Sequence, residues 1–268
     1  MQDLTPAERR VARALLASYP TIGLAPVSEF AAAGGASAAT ALRFVSSIGF
    51  SSYPEFQRRL RQELDERIKS PLEKPHTAEP VERRRFMDIF FARAERNLRE
   101  TLARIPASEF EAVCQRLAMP KTGCHVIGGR FTDAIAAYLV AHLQIVRPNV
   151  RRLDPRTASR VDQLTDVRPG DLAIVFDIRR YDPELVATAR LLAARRANIV
   201  LVTDFWISPI SQHAKFVLPG AIGTGRTWDS GLALFALAEA MIARVTDLLW
   251  DVAEGRIRDI EALHRGDP

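Results

Sequence analysis

Three short stretches hold residue types whose spacing could do chemistry. In Ile127-Gly128-Gly129-Arg130-Phe131-Thr132, two glycines follow an apolar run and precede a helical one. A glycine loop between a strand and a helix offers unpaired backbone N–H groups and a positive dipole to an anion. The spacing is not G-x-G-x-x-G, and a tight turn with Thr132 as helix N-cap accounts for the same residues. In Phe176-Asp177-Ile178-Arg179-Arg180-Tyr181-Asp182, two arginines and a tyrosine follow another apolar run. An adjacent arginine pair can clamp a phosphate or carboxylate. Equally, Arg179 and Arg180 can pair with Asp177, Asp182 or Glu184, or line a contact between subunits. The third stretch begins Ser37-Ala38-Ala39-Thr40 and reaches Arg43. Ser37, Thr40 and Arg43 lie three apart and share one helix face. Hydroxyls and a helix N-terminus bind phosphate, and arginine binds phosphate or a guanine edge. A plain cap is the other role open to Ser37.

Other chemistries find little support. The five histidines, His76, His125, His142, His213 and His264, lack metal-ligand spacing, so no metal or other cofactor is expected. Cys114 and Cys124 fit neither a zinc site nor a redox pair. Cys124 and His125 are neighbours on an expected strand, so they point to opposite faces and do not form a catalytic pair. No G-x-S-x-G elbow is present, and the missing glycine fingerprint argues against a nucleotide-binding oxidoreductase. No apolar run is long enough to span a bilayer, and the first residues lack the pattern of a signal peptide, so a cytoplasmic location with no membrane partner is the expectation. The net charge of +5, carried mostly by arginine, permits nucleic-acid binding, but only clustered charge makes a useful field. Codon bias in a GC-rich genome explains the arginine content as well.

The elements that must position these stretches change character along the chain. Residues 1–70 read as short helices. Thr5-Pro6-Ala7-Glu8 opens the first as a capping box with proline at the first position, and Tyr19-Pro20 stops it. A second runs from Ser28 to Ala33 and breaks at Gly34-Gly35. A third starts at Ser37 and ends at Gly49, with Leu42, Val45 and Ile48 expected to anchor it in the core. A fourth runs from Tyr53 to about Ile68. Two short helices around a glycine turn have the layout of a DNA-reading motif, whose second helix presents its N-terminal residues to the major groove. Residues 71–80 hold three prolines and little apolar content, which marks a linker. Helices are expected from Val81 to about Ile105 and from Ala107 to Met119. From Lys121 on, strands near 125–127, 149–153, 171–176, 198–202 and 216–218 alternate with helices at 134–146, 183–196 and 230–250. That alternation implies a parallel sheet covered by helices on both faces. Thr227 and Ser230 are read chiefly as caps of the last helix.

Taken together, the N-terminal segment resembles a specific family. Leu4-Thr5-Pro6-Ala7-Glu8-Arg9-Arg10, Ser37-Ala38-Ala39-Thr40-Ala41-Leu42-Arg43-Phe44 and Ile48-Gly49-Phe50-Ser51-Ser52-Tyr53-Pro54-Glu55-Phe56 are similar to the DNA-binding domain of RpiR/MurR-type bacterial regulators. Their pattern is S-x-A-T-[apolar]-x-R-F, then L-G-[FY]-x-x-[FY]-x-E-F. This chain departs in having Ala41 and Leu42 in a stretch that is often more polar or β-branched, and the expected recognition helix lacks lysine. The resemblance implies an all-α helix-turn-helix domain over 1–70, the linker 71–80, and an α/β sugar-isomerase (SIS) domain with leading helices over 81–268. Val202-Thr203-Asp204, Ser208-Pro209-Ile210, Ala214 and Leu218 are similar to that second domain's I-T-D…S-P-[LI]…A…L stretch.

The implied function is transcription regulation. Ser37, Ala38, Thr40 and Arg43 would contact a palindromic double-stranded operator, and a homodimer or homotetramer would span its half-sites. A small, anionic effector of the sugar-phosphate or sugar-acid class would bind Gly128, Gly129, Arg130, Thr132, Asp177, Arg179, Arg180 and Tyr181. The first loop matches the family's G-x-G-x-S in the hydroxyl of Thr132 but puts Arg130 in place of a glycine. The family's S-x-S-G-x-T loop is missing altogether, and Arg179, Arg180 and Tyr181 stand in its place. Two arginines suit a wider planar anion or a second acidic group. The alternative is a SIS-type sugar-phosphate isomerase. It would need a base in the cleft and no N-terminal helices, and loss of the serine loop counts against it.

Overall fold

A computed structural model describes residues 4–68, 83–154 and 157–266. The stretch 71–80, expected to be a linker, lies outside the described residues. The chain divides into two compact units, Met1–Ser70 and Pro71–Pro268.

The first unit holds α1 (Pro6–Ala17), α2 (Thr21–Leu24), α3 (Val27–Ala33), α4 (Ala38–Ser47) and α5 (Tyr53–Ile68). The capping box of α1 is complete, with Glu8 N donating to the Thr5 hydroxyl and Thr5 N donating to Glu8. The α3–α4 turn depends on two glycines for different reasons. Gly35 sits at φ +57°, in the left-handed region. A side chain on Gly34 would meet the Val11 backbone at 2.8 Å, so glycine there lets α3 press onto α1. Phe30 is the centre of the unit, with ring centroids 6.2 Å from Phe44 and 6.1 Å from both Tyr53 and Phe56. The core face of α4 consists of Ala41, Phe44 and Val45. This corrects the expected anchors: Val45 is buried, but Leu42 and Ile48 are 43% and 41% exposed. The α2 turn was not anticipated, since four residues carry no helical periodicity.

The second unit holds α6 (Arg83–Arg104), α7 (Ala107–Leu117), β1 (Cys124–Gly128), α8 (Asp133–Val146), β2 (Val150–Arg152), α9 (Thr157–Leu164), β3 (Leu172–Asp177), α10 (Pro183–Ala194), β4 (Asn198–Asp204), β5 (Phe216–Gly220), α11 (Leu232–Leu248) and α12 (Trp250–Arg265). The strands form one parallel sheet in the order β2-β1-β3-β4-β5. Alternate residues of each strand feed two cores. Leu172, Ile174 and Phe176 pack with α7, α8 and α11, whereas Ala173 and Val175 pack with α10. Cys124 and His125 do take opposite faces: Cys124 belongs to the first core, and the side of His125 is that of Ile127 in the second. The expected closing helix 230–250 is two helices broken at Leu249. Neither α9 nor α12 was expected. No helix among the described residues is long and apolar enough to cross a membrane.

Candidate functional site

In the first unit, the sequence around the glycine turn places α4 with its N-terminal half outward. Ser37 is the N-cap and accepts from Thr40 N at 3.3 Å. The hydroxyls of Ser37 and Thr40 are 3.0 Å apart, and Arg43 Nη2 donates to Thr40 Oγ1 at 3.2 Å. Ser37, Thr40 and Arg43 therefore form one chain of side chains, as their spacing predicted. Their exposure differs. Ser37, Ala38 and Arg43 face solvent, whereas Thr40 is buried and links the helix surface to its base. Ala39, Leu42 and Ser46 are also exposed on α4, and their value to a reading surface was not visible without knowing which face the core takes.

In the second unit, β2 and β3 lie on opposite sides of β1, so the chain reverses its winding between β1 and β3. Ligands of such sheets bind in the crevice at the carboxyl ends of the strands flanking that point. Both loops singled out from sequence lie there, after β1 and after β3.

The Gly128–Thr132 loop is fastened to β3. Gly129 N donates to Phe176 O at 3.1 Å and to Thr132 Oγ1 at 2.8 Å, and that hydroxyl donates to Phe176 O at 2.7 Å. Thr132 occupies the N-cap position of α8 but makes no side-chain cap bond. Its hydroxyl is committed to the loop, so it is neither the cap nor the free hydroxyl that its position suggested. A side chain on Gly128 would run into the Asp133 backbone, which is why only glycine lets strand and helix turn so tightly here. Among the described residues the backbone N–H groups of Arg130, Phe131 and Thr132 have no backbone acceptor, and they stand just before the 14-residue α8, with Arg130 and Phe131 exposed and Thr132 buried. Arg130 is exposed and lies 5.2 Å from the Phe131 ring centroid.

The second loop is built differently from its expected form. Arg179 Nε donates to Asp229 Oδ2 at 2.8 Å, and its Nη2 donates to the other oxygen of that carboxylate. The guanidinium also lies 4.8 Å from the Trp206 ring centroid. Arg180, at φ +61°, is exposed. The two arginines thus do not form a clamp. Consecutive residues on a turning loop diverge, and one has taken an internal carboxylate as partner, though not one of those foreseen. Tyr181 donates its hydroxyl to Asp204 Oδ1 at 2.9 Å, and Asp204 also accepts from Arg179 N at 2.5 Å and Trp206 N at 2.9 Å. Asp177 accepts from the Ser208 hydroxyl at 2.5 Å. Burial pushes the Asp177 carboxyl up to about 7, opposed by the bond from Ser208 and helped by the nearby Asp204. A knot of Asp177, Ser208, Asp204, Tyr181, Arg179 and Asp229 therefore ties together the loops that follow β3, β4 and β5. Asp204 and Ser208 stood out in sequence only as part of the stretch similar to the SIS pattern, with no role at the site, and Asp229 carried no signal. At the lip, Phe131 and Trp228 meet edge to face at 6.0 Å. Thr227 does not cap the helix that follows, and the Ser230 hydroxyl accepts from Leu232 N at 3.3 Å at the start of α11.

The two units define a class, a helix-turn-helix domain joined to a sugar-isomerase-type sheet domain. Residues 1–67 match the helix-turn-helix domain of the rpiR family, and residues 124–244 match the SIS domain. The chain belongs to the RpiR-type transcription regulators. Among solved structures, the sugar isomerase domain of an RpiR transcription factor from Sphaerobacter thermophilus is 25% identical, covers 64% of this chain and 96% of its own, and has a TM-score of 0.57. The Vibrio vulnificus NanR protein complexed with ManNAc-6P is 16% identical over 98% of this chain and 94% of its own, with a TM-score of 0.57. A putative sugar-phosphate isomerase from Listeria monocytogenes is 14% identical over 67% of this chain and 98% of its own, with a TM-score of 0.53. These last two share the fold. Comparison with curated proteins returned no match.

Proposed function

We propose that this regulator reads an operator with Ser37, Ala38 and Arg43 of α4, and that a small anionic metabolite of the sugar-phosphate class binds at the start of α8 to control it. The observation that carries the DNA half is the exposed N-terminal half of α4 beside the Gly34-Gly35 turn, with Arg43 braced by Thr40. Thr40 acts by holding Arg43 in place. The braced arginine loses less side-chain freedom on contact, which favours a base or a single phosphate over diffuse attraction. Arg43→Ala is expected to weaken operator binding by about 1–3 kcal/mol if the arginine reads a base. If it touches phosphate, affinity for operator and random DNA falls together and the salt dependence shrinks. Gel-shift titrations at two salt concentrations distinguish these results, and unchanged affinity for both DNAs removes α4 from the interface.

For the effector half, the backbone N–H groups of the exposed residues Arg130 and Phe131 and the Arg130 side chain supply an anion seat. The phosphosugar bound to the NanR neighbour supports that class of ligand. Arg179, Arg180 and Tyr181 take lesser parts, because Arg179 and Tyr181 already hold the carboxylates of Asp229 and Asp204. An enzymatic role is not assigned, since the carboxylates of Asp177, Asp204 and Asp229 at this edge are already engaged. A thermal-shift panel of sugar phosphates, sugar acids and neutral sugars tests this. A cognate phosphosugar at about 100 times its Kd should stabilise the protein by about 2.7 kcal/mol, with the gain reduced in Arg130→Ala. Stabilisation by neutral sugars alone would sink the idea.

Operator recognition by one such motif needs a second copy to supply the other half-site. On α6, Met87, Phe91, Leu98 and Leu102 fall on one face and are all exposed, which supports a homo-oligomer closed through this helix. Light scattering should give at least a dimer, and Phe91→Glu with Leu102→Glu should yield a monomer. A monomeric wild-type chain at micromolar concentration refutes this.

A further inference from the structure

We propose that Leu42, with Ala38 and Ala39 beside it, reads the C5-methyl groups of thymines next to the base or phosphate taken by Arg43. This rests on the reading of α4 as the operator-facing helix, and it names what that helix selects.

The two halves of α4 are sharply divided. Thr40, Ala41, Phe44 and Val45 are buried, and Ala38, Ala39, Leu42, Arg43, Ser46 and Ser47 are exposed. At about 100° per residue the two sets fall on opposite sides of the helix. Leu42 is 43% exposed and takes no place in the aromatic core around Phe30. A single exposed leucine is ordinary on a protein surface. Leu42 is set apart by its place. It stands beside Arg43, one turn from Ala38, on the face that a helix-turn-helix domain turns to the major groove.

That face has few groups able to read a base by hydrogen bonding. Arg43 is the one charged residue of α4, which has no Asn, Gln, Lys, Asp or Glu. The Ser37 hydroxyl is paired with that of Thr40 at 3.0 Å, and the Ser47 hydroxyl donates to Phe44 O at 2.7 Å. Ser46 lies in the last turn, away from the end that enters the groove. The rest of the leading face is apolar. Base pairs of unmodified DNA carry one apolar group on the major-groove edge, the thymine methyl. Helix residues three and four apart have Cβ atoms about 5–6 Å apart, and successive bases of a strand rise about 3.4 Å. Ala38, Ala39 and Leu42 therefore span one or two neighbouring thymines. A cytosine in their place would turn its amino donor toward a leucine that offers no acceptor, so the patch also selects against C·G pairs.

The test begins with selection of a high-affinity duplex by the full chain from a pool of random sequence. Each thymine of that duplex is then replaced in turn by deoxyuridine, which removes the methyl and keeps the pairing. At one or two positions in each half-site affinity should fall about fourfold, the transfer free energy of one methyl group. Leu42→Ala should weaken binding to the thymine duplex by a similar factor and bind the thymine and deoxyuridine forms equally. Leu42 is exposed and alanine favours a helix, so this variant keeps its fold. Affinity indifferent to every deoxyuridine replacement overturns the proposal and leaves α4 in the operator interface. So does a Leu42→Ala loss that is the same for both forms of the duplex. If selection enriches no sequence, operator recognition and the proposal fail together.

Discussion

Phe30→Ala is expected to unfold the DNA-reading unit and abolish operator binding while leaving the sheet unit folded. Phe30 is fully buried and contacts aromatic rings from α4 and α5, so its loss removes a side chain that joins three helices. Truncating a core phenylalanine to alanine costs about 3–5 kcal/mol, through lost transfer energy and the cavity left behind. A unit of some seventy residues has a total stability of the same order. Its aromatic neighbours cannot fill the space without tilting α4, which carries Arg43. Helical circular dichroism should show a first thermal transition lost or strongly lowered, with a second near its wild-type position, and gel shifts should show no specific complex. A first transition lowered by less than about 1 kcal/mol with operator binding intact would show that Phe30 is not the keystone.

The second large effect is a pH dependence in the sheet unit that runs against the common trend. Asp177 is almost wholly buried, and burial lifts its carboxyl from an ordinary 3.8 to about 7 in the folded protein. Between those values the unfolded chain has released the proton and the folded chain still holds it. The unfolded state then binds fewer protons, so stability falls as pH rises from about 4 to about 7 and is level above that. The loss over the window is on the order of 4 kcal/mol. Glu8, Glu55, Glu111 and Asp171 are all shifted downward, so their stabilising contributions are lost only at pH below about 4.5 and do not mask this window. Asp177→Asn keeps an acceptor for the Ser208 hydroxyl and removes the titration. Urea unfolding at pH 5, 6, 7 and 8 should give a declining series for the wild type and a flat one for the variant. Equal slopes in both proteins would place the effect elsewhere.

The helices and strands with strong local signals were legible without coordinates. The Thr5–Glu8 capping box, the glycine turn between α3 and α4, and the alternation of apolar strands with helices after Lys121 all depend on contacts within a few residues, which spacing reports directly. So did the position of the two loops, since a glycine stretch or a polar break after a buried strand marks a carboxyl edge. The similarity to RpiR-type regulators rested on residues of this kind.

Partnerships across the fold belonged to tertiary structure alone. Arg179 and Arg180 look like a clamp when written side by side, yet Arg179 is captured by Asp229, fifty residues away, because the loops after β3 and β5 meet over the sheet edge. Thr132 reads as a cap until Phe176 O takes its hydroxyl from the neighbouring strand. Leu42 and Ile48 satisfy the apolar pattern of a core face, but Ala41, Phe44 and Val45 fill the space that α1, α3 and α5 leave. The buried bond between His125 Nε2 and Asp171, forty-six residues on, likewise left no local signal. In each case chain entropy and local propensity fix the element, while the partner is chosen by which distant polar group arrives at the same buried place and must be satisfied there.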